Sequence, residues 1–145
     1  MNVRQMLGDR TVADIATISE QETLSAATAT LAQRKIGALI VTSSDGAVAG
    51  ILSERDIVRR LAVDGADCLN ASVASAMTAK VMSCAPSDSA QSLLERMTEG
   101  RFRHMPVMED GKLAGVISIG DVVKTRIQEI QNENAALTGM IANTW

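Results

Sequence analysis

Residues 45–60 of the chain read DGAVAGILSERDIVRR, and residues 110–125 repeat the pattern as DGKLAGVISIGDVVKT. Seven of the sixteen positions are identical, and most of the others exchange one aliphatic residue for another or Arg59 for Lys124. An internal repeat indicates two copies of one structural unit, so we expect pseudo-two-fold symmetry. The identical pairs are Asp45 and Asp110, Gly46 and Gly111, Ala49 and Ala114, Gly50 and Gly115, Ser53 and Ser118, Asp56 and Asp121, and Val58 and Val123.

The residues that flank the repeat predict an α/β fold made of two β-α-β-β-α units. Apolar residues at helical spacing alternate with short aliphatic runs, and an Asp-Gly pair marks a tight turn in each copy. We expect the small sheets of the two units to pack together. In the first copy the predicted elements are a strand at 15–18, a helix that starts at Leu24 and ends at Gly37, strands at 38–42 and 48–52, and a helix at 54–63. In the second copy they are a strand at 81–84, a helix that begins at 86–89, strands at 104–108 and 113–118, and a helix after Asp121.

The repeats divide the chain into three predicted segments. Residues 1–66 hold the first repeat with an N-terminal segment, residues 67–125 hold a linker and the second repeat, and residues 126–145 extend the last helix. Along that extended C-terminal helix the apolar residues follow a 4-3-7-4 spacing, with Asn134 in the gap. The spacing fits either a short seam that pairs with another helix or an amphipathic helix that packs on its own domain. The seam residues are Val123, Ile127, Ile130, Leu137 and Ile141.

The composition is that of a folded, acidic chain with few aromatic residues. Hydrophobic residues make up 46% of the sequence and the net charge is −3. These values argue against a disordered segment and against non-specific binding to nucleic acid or an anionic membrane. Phe102 and Trp145 are the only aromatic residues, too few to stack single-stranded bases, and we expect Phe102 to anchor the core.

The location of the protein is predicted from what the sequence lacks. No apolar run reaches the roughly 20 residues of a membrane span, and the N-terminus lacks the apolar stretch of a signal peptide. Cys68 and Cys84 are far apart and have no metal-ligand spacing. We therefore expect a cytoplasmic protein with two free thiols, no metal site and no membrane or nucleic-acid partner.

Each copy carries a Ser-x-x-Asp motif where a strand ends and a helix begins. These motifs are Ser53 with Asp56 and Ser118 with Asp121. The spacing is typical of a capping box, in which the Ser hydroxyl accepts a helix N–H and the carboxylate accepts the N–H of the Ser. The same position also suits a ligand, because a helix N-terminus attracts phosphate and a carboxylate accepts the hydroxyls of a ribose. Both interpretations stay open on the spacing alone.

A family resemblance joins these motifs. The stretches GILSERDIVR and GVISIGDVVK resemble the closing signature of CBS domains, which are named after cystathionine β-synthase. The stretches KIGALIV from Lys35 and RFRHMPV from Arg101 resemble the strand that precedes the turn in that family. The resemblance covers residues 11–124, and two such copies would form one CBS pair, also called a Bateman module.

The resemblance implies that adenosine nucleotides bind in two clefts between the copies. In CBS pairs each cleft takes its Ser and Asp from one copy and its adenine-facing strands from the other. One site would combine Ser118 and Asp121 with Thr17, Ala38 and Ile40, and the other would combine Ser53 and Asp56 with Ser83, His104 and Pro106. The two Asp residues would hold the ribose, and backbone groups around Thr17 and Ser83 would contact the adenine edge. Arg55, Arg103 and His104 would meet phosphate.

The expected function is that of a regulatory sensor module that binds an AMP-, ADP- or ATP-like ligand. We expect no cofactor and no catalytic residue, because the chain has no Gly-rich nucleotide fingerprint, no nucleophile elbow and one histidine. The expected partners are the nucleotide, a second copy in a homodimer and a regulated protein that the sequence does not identify. The competing interpretation is an interaction or scaffold protein with non-functional clefts, in which the Ser and Asp residues only cap helices.

Overall fold

The structure is a computed structural model that describes the backbone of residues 1–144 and the side chains of residues 1–139. The structure divides into two compact units, and each unit contains one repeat. The first-repeat unit is Ala13–Met82. The second-repeat unit joins Met1–Val12 to the chain from Ser83 onward, so the N-terminal segment belongs with the second repeat. The boundaries that the sequence suggests at 66/67 and 125/126 stay predictions about the extent of the repeats.

The helices and strands follow the predicted order in both repeats, except for the strand predicted at 81–84. The helices are α1 Val3–Leu7, α2 Leu24–Arg34, α3 Glu54–Asp64, α4 Ala90–Gly100 and α5 Ile119–Thr144. The strands are β1 Thr17–Ser19, β2 Ala38–Thr42, β3 Val48–Ser53, β4 His104–Glu109 and β5 Lys112–Ser118. Short 3-10 helices lie at Val12–Asp14, Ala66–Asn70 and Val73–Ser75. The α/β fold class is therefore confirmed.

The first-repeat unit is built on a three-stranded sheet in the order β1-β2-β3. Strand β1 pairs with β2 in parallel, and β2 pairs with β3 in antiparallel fashion across the Asp-Gly turn. One face of the sheet packs against α2 and α3. The side chains of this core include Leu24, Leu31, Leu39, Val41, Leu52 and Ile57.

The second-repeat unit has a two-stranded sheet, because the predicted strand at 81–84 shrinks to a single parallel bridge between Cys84 and Val107. The Cys84 N–H donates to the Pro106 carbonyl at 3.0 Å, which continues the pattern of the first repeat. The next residue, Ala85, donates its N–H to the Asp88 carboxylate at 2.8 Å, and Pro86 after it has no N–H. The prediction of a full strand here was therefore wrong. Phe102 packs against the core of this unit, as expected.

The first helix of each repeat ends at a residue in the left-handed conformation. The predicted stop at Gly37 was wrong, since α2 ends at Arg34 and Lys35 takes a φ of 55° with its N–H donated to the Leu31 carbonyl. Arg101 does the same after α4, with a φ of 58°. A cap at these positions closes the last turn without a glycine. The carbonyl of Gly37 instead accepts the Glu54 N–H at 3.0 Å, at the start of α3.

Each unit also contains the segment of chain that precedes the other repeat, and both segments are bound through the same backbone hydrogen bond. The Val3 N–H donates to the Asp88 carbonyl at 2.8 Å, and the Val73 N–H donates to the Glu22 carbonyl at 2.7 Å. Both valines are fully buried. Residues 1–8 therefore pack into the second-repeat unit in the same way that residues 71–78 pack into the first-repeat unit.

Among residues 119–139 of the C-terminal helix, the fully or nearly fully buried side chains lie in the first two turns. Val122 is fully buried and Thr125 is nearly so, whereas Ile127, Ile130 and Leu137 are 51%, 47% and 56% exposed. The interpretation in which this stretch packs on its own domain is therefore wrong for these residues, and the seam interpretation stays open. The side chain of Ile141 lies outside the described residues. Among the described residues, no helix combines the length and the apolar composition that a membrane crossing needs.

Candidate functional site

The motif of the first repeat lies at the junction of β3 and α3. Ser53 ends the strand and caps the helix, and Asp56 lies in its first turn. The Asp56 N–H donates to Ser53 Oγ at 3.3 Å, and the Ser53 N–H and Oγ donate to Asp56 Oδ2 at 2.9 and 3.1 Å. The reciprocal bonds satisfy helix N–H groups that otherwise have no partner.

The motif of the second repeat has the same geometry at the junction of β5 and α5. The Asp121 N–H donates to Ser118 Oγ at 3.2 Å, and Asp121 Oδ2 accepts from the Ser118 N–H at 2.9 Å and from Ser118 Oγ at 3.0 Å. The capping interpretation is thus confirmed as geometry in both repeats. It does not exclude a ligand, because each cap uses only one of the two carboxylate oxygens.

The two carboxylates differ in what their remaining acceptor positions contact. Asp56 Oδ1 lies 4.0 Å from Arg59 Nη1, and the Arg59 side chain is 74% exposed. Asp121 is held by Arg10, whose Nη1 donates to Oδ2 and whose Nη2 donates to Oδ1, each at 3.1 Å. Arg10 Nη2 also donates to the Met6 carbonyl at 3.0 Å. Arg10 is the site residue that sequence reasoning missed, since it lies 111 positions from Asp121.

The Arg10 contact changes the ionisation of Asp121. Burial alone would raise the pKa of the Asp121 carboxyl, but the hydrogen bonds and charge of Arg10, together with the bonds from Ser118, outweigh it and hold the pKa below its usual value. Asp121 is therefore a carboxylate at neutral pH. In this form it accepts hydrogen bonds and donates none.

The strand residues expected near adenine lie on the sheet face opposite the core. In β2, Leu39 and Val41 belong to the core between the sheet and the helices, so Ala38 and Ile40 point to the other face, where Ile40 is also buried. Thr17 pairs with Ile40 across β1 and β2 and shares that face. In β4, the core side chains are Met105 and Val107, which leaves His104 and Pro106 on the opposite face.

The remaining predicted residues lie outside regular strands or at the surface. Ser83 precedes the bridge residue Cys84, and its carbonyl accepts from Arg96 Nη1 at 3.1 Å. Arg55 is exposed in the first turn of α3, and Arg103 is exposed just before β4. Each predicted combination draws residues from both units, so the grouping of these residues into two clefts stays a prediction.

Neither thiol offers a reactive group, and no metal cluster occurs in the described part of the chain. Cys68 and Cys84 are both free and buried. Burial raises the pKa of the Cys84 thiol to about 11, which keeps it protonated and unreactive at neutral pH. Within the described residues, no three His, Cys, Asp or Glu side chains lie close enough to hold a metal ion. The chemistry of the junctions is therefore hydrogen bonding by carboxylates at helix N-termini.

The repeats, the paired junctions and the sheet topology together define two related α/β modules in one chain. The sequence profile of the CBS domain matches residues 7–63 and again residues 73–127, which together are more than half of the chain. The chain therefore belongs to the CBS domain family. Its two repeats form one CBS pair.

Individual relatives agree with this assignment. The mitochondrial CBS domain-containing protein CBSX3 of Arabidopsis thaliana is 33% identical over 126 residues, which are 81% of this chain and 61% of that protein. The chain thus spans about three fifths of the length of that relative. The crystal structure of the CBS-domain containing protein ATU1752 from Agrobacterium tumefaciens is 46% identical with a TM-score of 0.83, and the match covers 87% of this chain and 99% of that one.

One solved structure with the same fold contains a ligand. The CBS domain protein PAE2072 from Pyrobaculum aerophilum was solved in complex with AMP. It is 24% identical with a TM-score of 0.73, and the match covers 83% of this chain and 89% of that one. At this identity the likeness establishes the fold alone.

Proposed function

We propose that this chain binds an adenine nucleotide in clefts between its two repeats and acts as a regulatory sensor module. The observation that carries the proposal is the Asp56 carboxylate. The cap fixes one of its oxygens in place, and the other accepts no hydrogen bond from the described residues. A fixed carboxylate with an open oxygen at a helix N-terminus suits a ribose that carries a phosphate.

The chemistry of recognition follows from the groups at each junction. The ribose hydroxyls would donate to Asp56 and Asp121, and the adenine would lie against the non-core strand faces that carry Ala38, Ile40, His104 and Pro106. Basic side chains at Arg55, Arg103 and His104 would meet the phosphates. Membership of the CBS family and the AMP complex of the protein from Pyrobaculum aerophilum support adenosine as the ligand class.

The output of such a module would be a change in association. We propose a non-enzymatic role in which the nucleotide alters the binding of a partner chain, either a regulated protein or a second copy. The two reduced thiols fit the cytoplasm as the place of action. The exposed apolar residues of α5 are the surface that we expect to form a homodimer.

Calorimetric titration of AMP, ADP, ATP and adenosine into the wild-type protein and into Asp56→Ala tests the proposal. Loss of the carboxylate should cost about 1.5–3 kcal/mol at that site, which is roughly a ten- to hundredfold weaker Kd. Asp64→Ala is the matched control, because Asp64 lies on the same helix and pairs with Arg60 at 2.9 Å outside the cap. Its nucleotide affinity should equal that of the wild-type protein.

The capping geometry also supports the second candidate, an interaction or scaffold protein with non-functional clefts. The reciprocal bonds of Ser53 and Asp56 account for both residues without a ligand. Under either interpretation, Asp56→Ala would lower the free energy of unfolding by about 1 kcal/mol, as loss of a cap does. Under the scaffold alternative alone, no nucleotide would bind to the wild-type protein at millimolar concentration, and that result would favour the scaffold role.

A further inference from the structure

The ion pair between Arg10 and Asp121 places a guanidinium against the carboxylate to which the proposed function assigns a ribose. Both terminal nitrogens of Arg10 contact the carboxylate at 3.1 Å, one on each oxygen. Ser118 adds two further bonds to Oδ2. A carboxylate accepts about four hydrogen bonds in all. The protein itself therefore supplies about four bonds to Asp121, three on Oδ2 and one on Oδ1.

The equivalent carboxylate of the first repeat has no such partner. Asp56 takes part in the same cap, yet its nearest cation is Arg59 Nη1 at 4.0 Å, and that side chain is 74% exposed. In the first-repeat unit, residues 71–78 correspond to the N-terminal segment. Lys80 follows them, and its side chain is exposed and forms no ion pair with the described residues. The difference between the repeats thus comes from one residue of the N-terminal segment.

The position of Arg10 lets it leave without unfolding the unit. Val3 is fully buried and Leu7 packs against the second-repeat core, so α1 is anchored. Residues 8–12 beyond this anchor are exposed, and the Arg10 side chain is 43% exposed. Breaking an ion pair at this exposure costs far less than unfolding the core. Arg10 can therefore exchange with another hydrogen-bond donor.

We infer that Arg10 is a specificity-determining residue that a nucleotide must displace from Asp121, so that the Asp56 site fills before the Asp121 site. The inference rests on the proposed function and adds an order of occupancy to it. Displacement would release the Arg10 side chain from Asp121.

The inference is tested by binding AMP to chains in which only the Asp121 site is intact. In the Asp56→Ala background, Arg10→Ala should tighten the Kd for AMP about two- to fivefold, the range expected for removal of a half-exposed ion pair. Arg10→Lys should lie between the two, because Lys keeps the charge but loses the two-point geometry. Arg4→Ala is the matched control. Arg4 lies in the same segment and pairs with Glu109 at 2.7 Å, so its loss should leave the Kd unchanged.

Adenosine at different salt concentrations provides a second measurement. Adenosine is uncharged, so salt acts mainly by screening Arg10 from Asp121. Rising salt should tighten adenosine binding in the Asp56→Ala background and have no effect once Arg10→Ala is added. Equal or weaker AMP binding in Arg10→Ala, while the wild-type protein binds AMP at the Asp56 site, would overturn this inference and leave the proposed function standing. Absence of AMP binding in the wild-type protein and in every variant would overturn both.

Discussion

A single carboxylate oxygen separates the structural and the functional interpretation of the Ser-x-x-Asp motif. In both repeats Oδ2 of the Asp closes the capping box, which the spacing predicts. The other oxygen of Asp121, Oδ1, accepts from Arg10, which lies 111 positions away in sequence. The cap was therefore predictable from sequence, because it is a contact within four residues. The ion pair between Arg10 and Asp121 was not predictable, because no local sequence pattern encodes a tertiary ion pair.

Asp88 illustrates how one carboxylate ties the irregular start of the second repeat to its helix. Its Oδ2 accepts from the Ala85 N–H and from Arg96 Nη2, both at 2.8 Å, and Arg96 Nη1 donates to the Ser83 carbonyl. The backbone bond from Ala85, helped by Arg96, lowers the pKa of Asp88 against the opposing effect of burial. A carboxyl with a lowered folded-state pKa stabilises the fold above its unfolded pKa of about 3.9, and this contribution is lost as the pH falls through the folded-state value.

Asp88→Asn should therefore lower the free energy of unfolding by about 1 kcal/mol at neutral pH, because the charge that Arg96 contacts is lost. The difference from the wild-type protein should shrink below about pH 4, where the wild-type carboxyl becomes protonated. Urea unfolding at neutral and acidic pH measures both values. Arg96→Met serves as the control, since combining it with Asp88→Asn should cost less than the sum of the two single changes. A difference that does not change with pH would contradict the assignment.

At the scale of elements, the strands and helices that were predicted correctly are those marked by a local sequence pattern. The hairpins β2–β3 and β4–β5 agree with prediction within one or two residues, because an Asp-Gly turn and aliphatic runs mark them. Residues 1–8 and 71–78 were missed as a repeat. They share Val3 and Val73 but little other sequence, and their hydrogen bonds go to the loops before α4 and α2. Short helical segments without periodicity leave no pattern from which such packing could be inferred.

Two glycines in the repeat allow residues 71–78 and 1–8 to approach the strands. A larger residue should be tolerated less well at one of these glycines than at the other. A Cβ at Gly50 would lie 2.6 Å from the Thr78 carbonyl oxygen, which is backbone. A Cβ at Gly115 would lie 2.7 Å from Leu7 Cδ2, the end of a flexible side chain. Gly50→Ala should therefore destabilise the protein by about 1–3 kcal/mol, and Gly115→Ala by less, because Leu7 can change rotamer.

Chemical unfolding of the two variants checks this order, and a second substitution separates the causes. Leu7→Ala should remove most of the additional cost of Gly115→Ala, because the clash partner is then absent. No side-chain replacement at Thr78 should relieve Gly50→Ala, since the clash is with a carbonyl. Equal costs for Gly50→Ala and Gly115→Ala would show that the close approach to the backbone does not govern this position.

At the scale of the whole molecule, the apolar residues left exposed point to association. Val58 and Val123 occupy the same position in the two repeats and are 63% and 41% exposed. The later turns of α5 add Ile127, Ile130 and Leu137 along one helical stripe. The 4-3 spacing of this stripe was evident in the sequence, but whether it packs on its own unit could be decided only from the structure. An exposed stripe of this kind is stabilised when a second helix covers it.

We therefore expect the protein to form a homodimer in which α5 contributes to the contact. The double variant Ile127→Asp/Ile130→Asp should weaken the dimer, because charges cannot be buried in an apolar seam without a large desolvation cost. Both side chains are about half exposed in the single chain, so the fold of each unit should not change. Gln128→Glu/Asn132→Asp is the matched control, since it adds the same two negative charges on the opposite side of the helix. Light scattering over a concentration series measures the outcome, and AMP affinity in the same samples should be unaffected.

A wild-type protein that stays monomeric at high micromolar concentration would contradict the prediction of a dimer. A double variant that stays fully dimeric would assign the contact to the repeats, where Val58 and Val123 are the first residues to change.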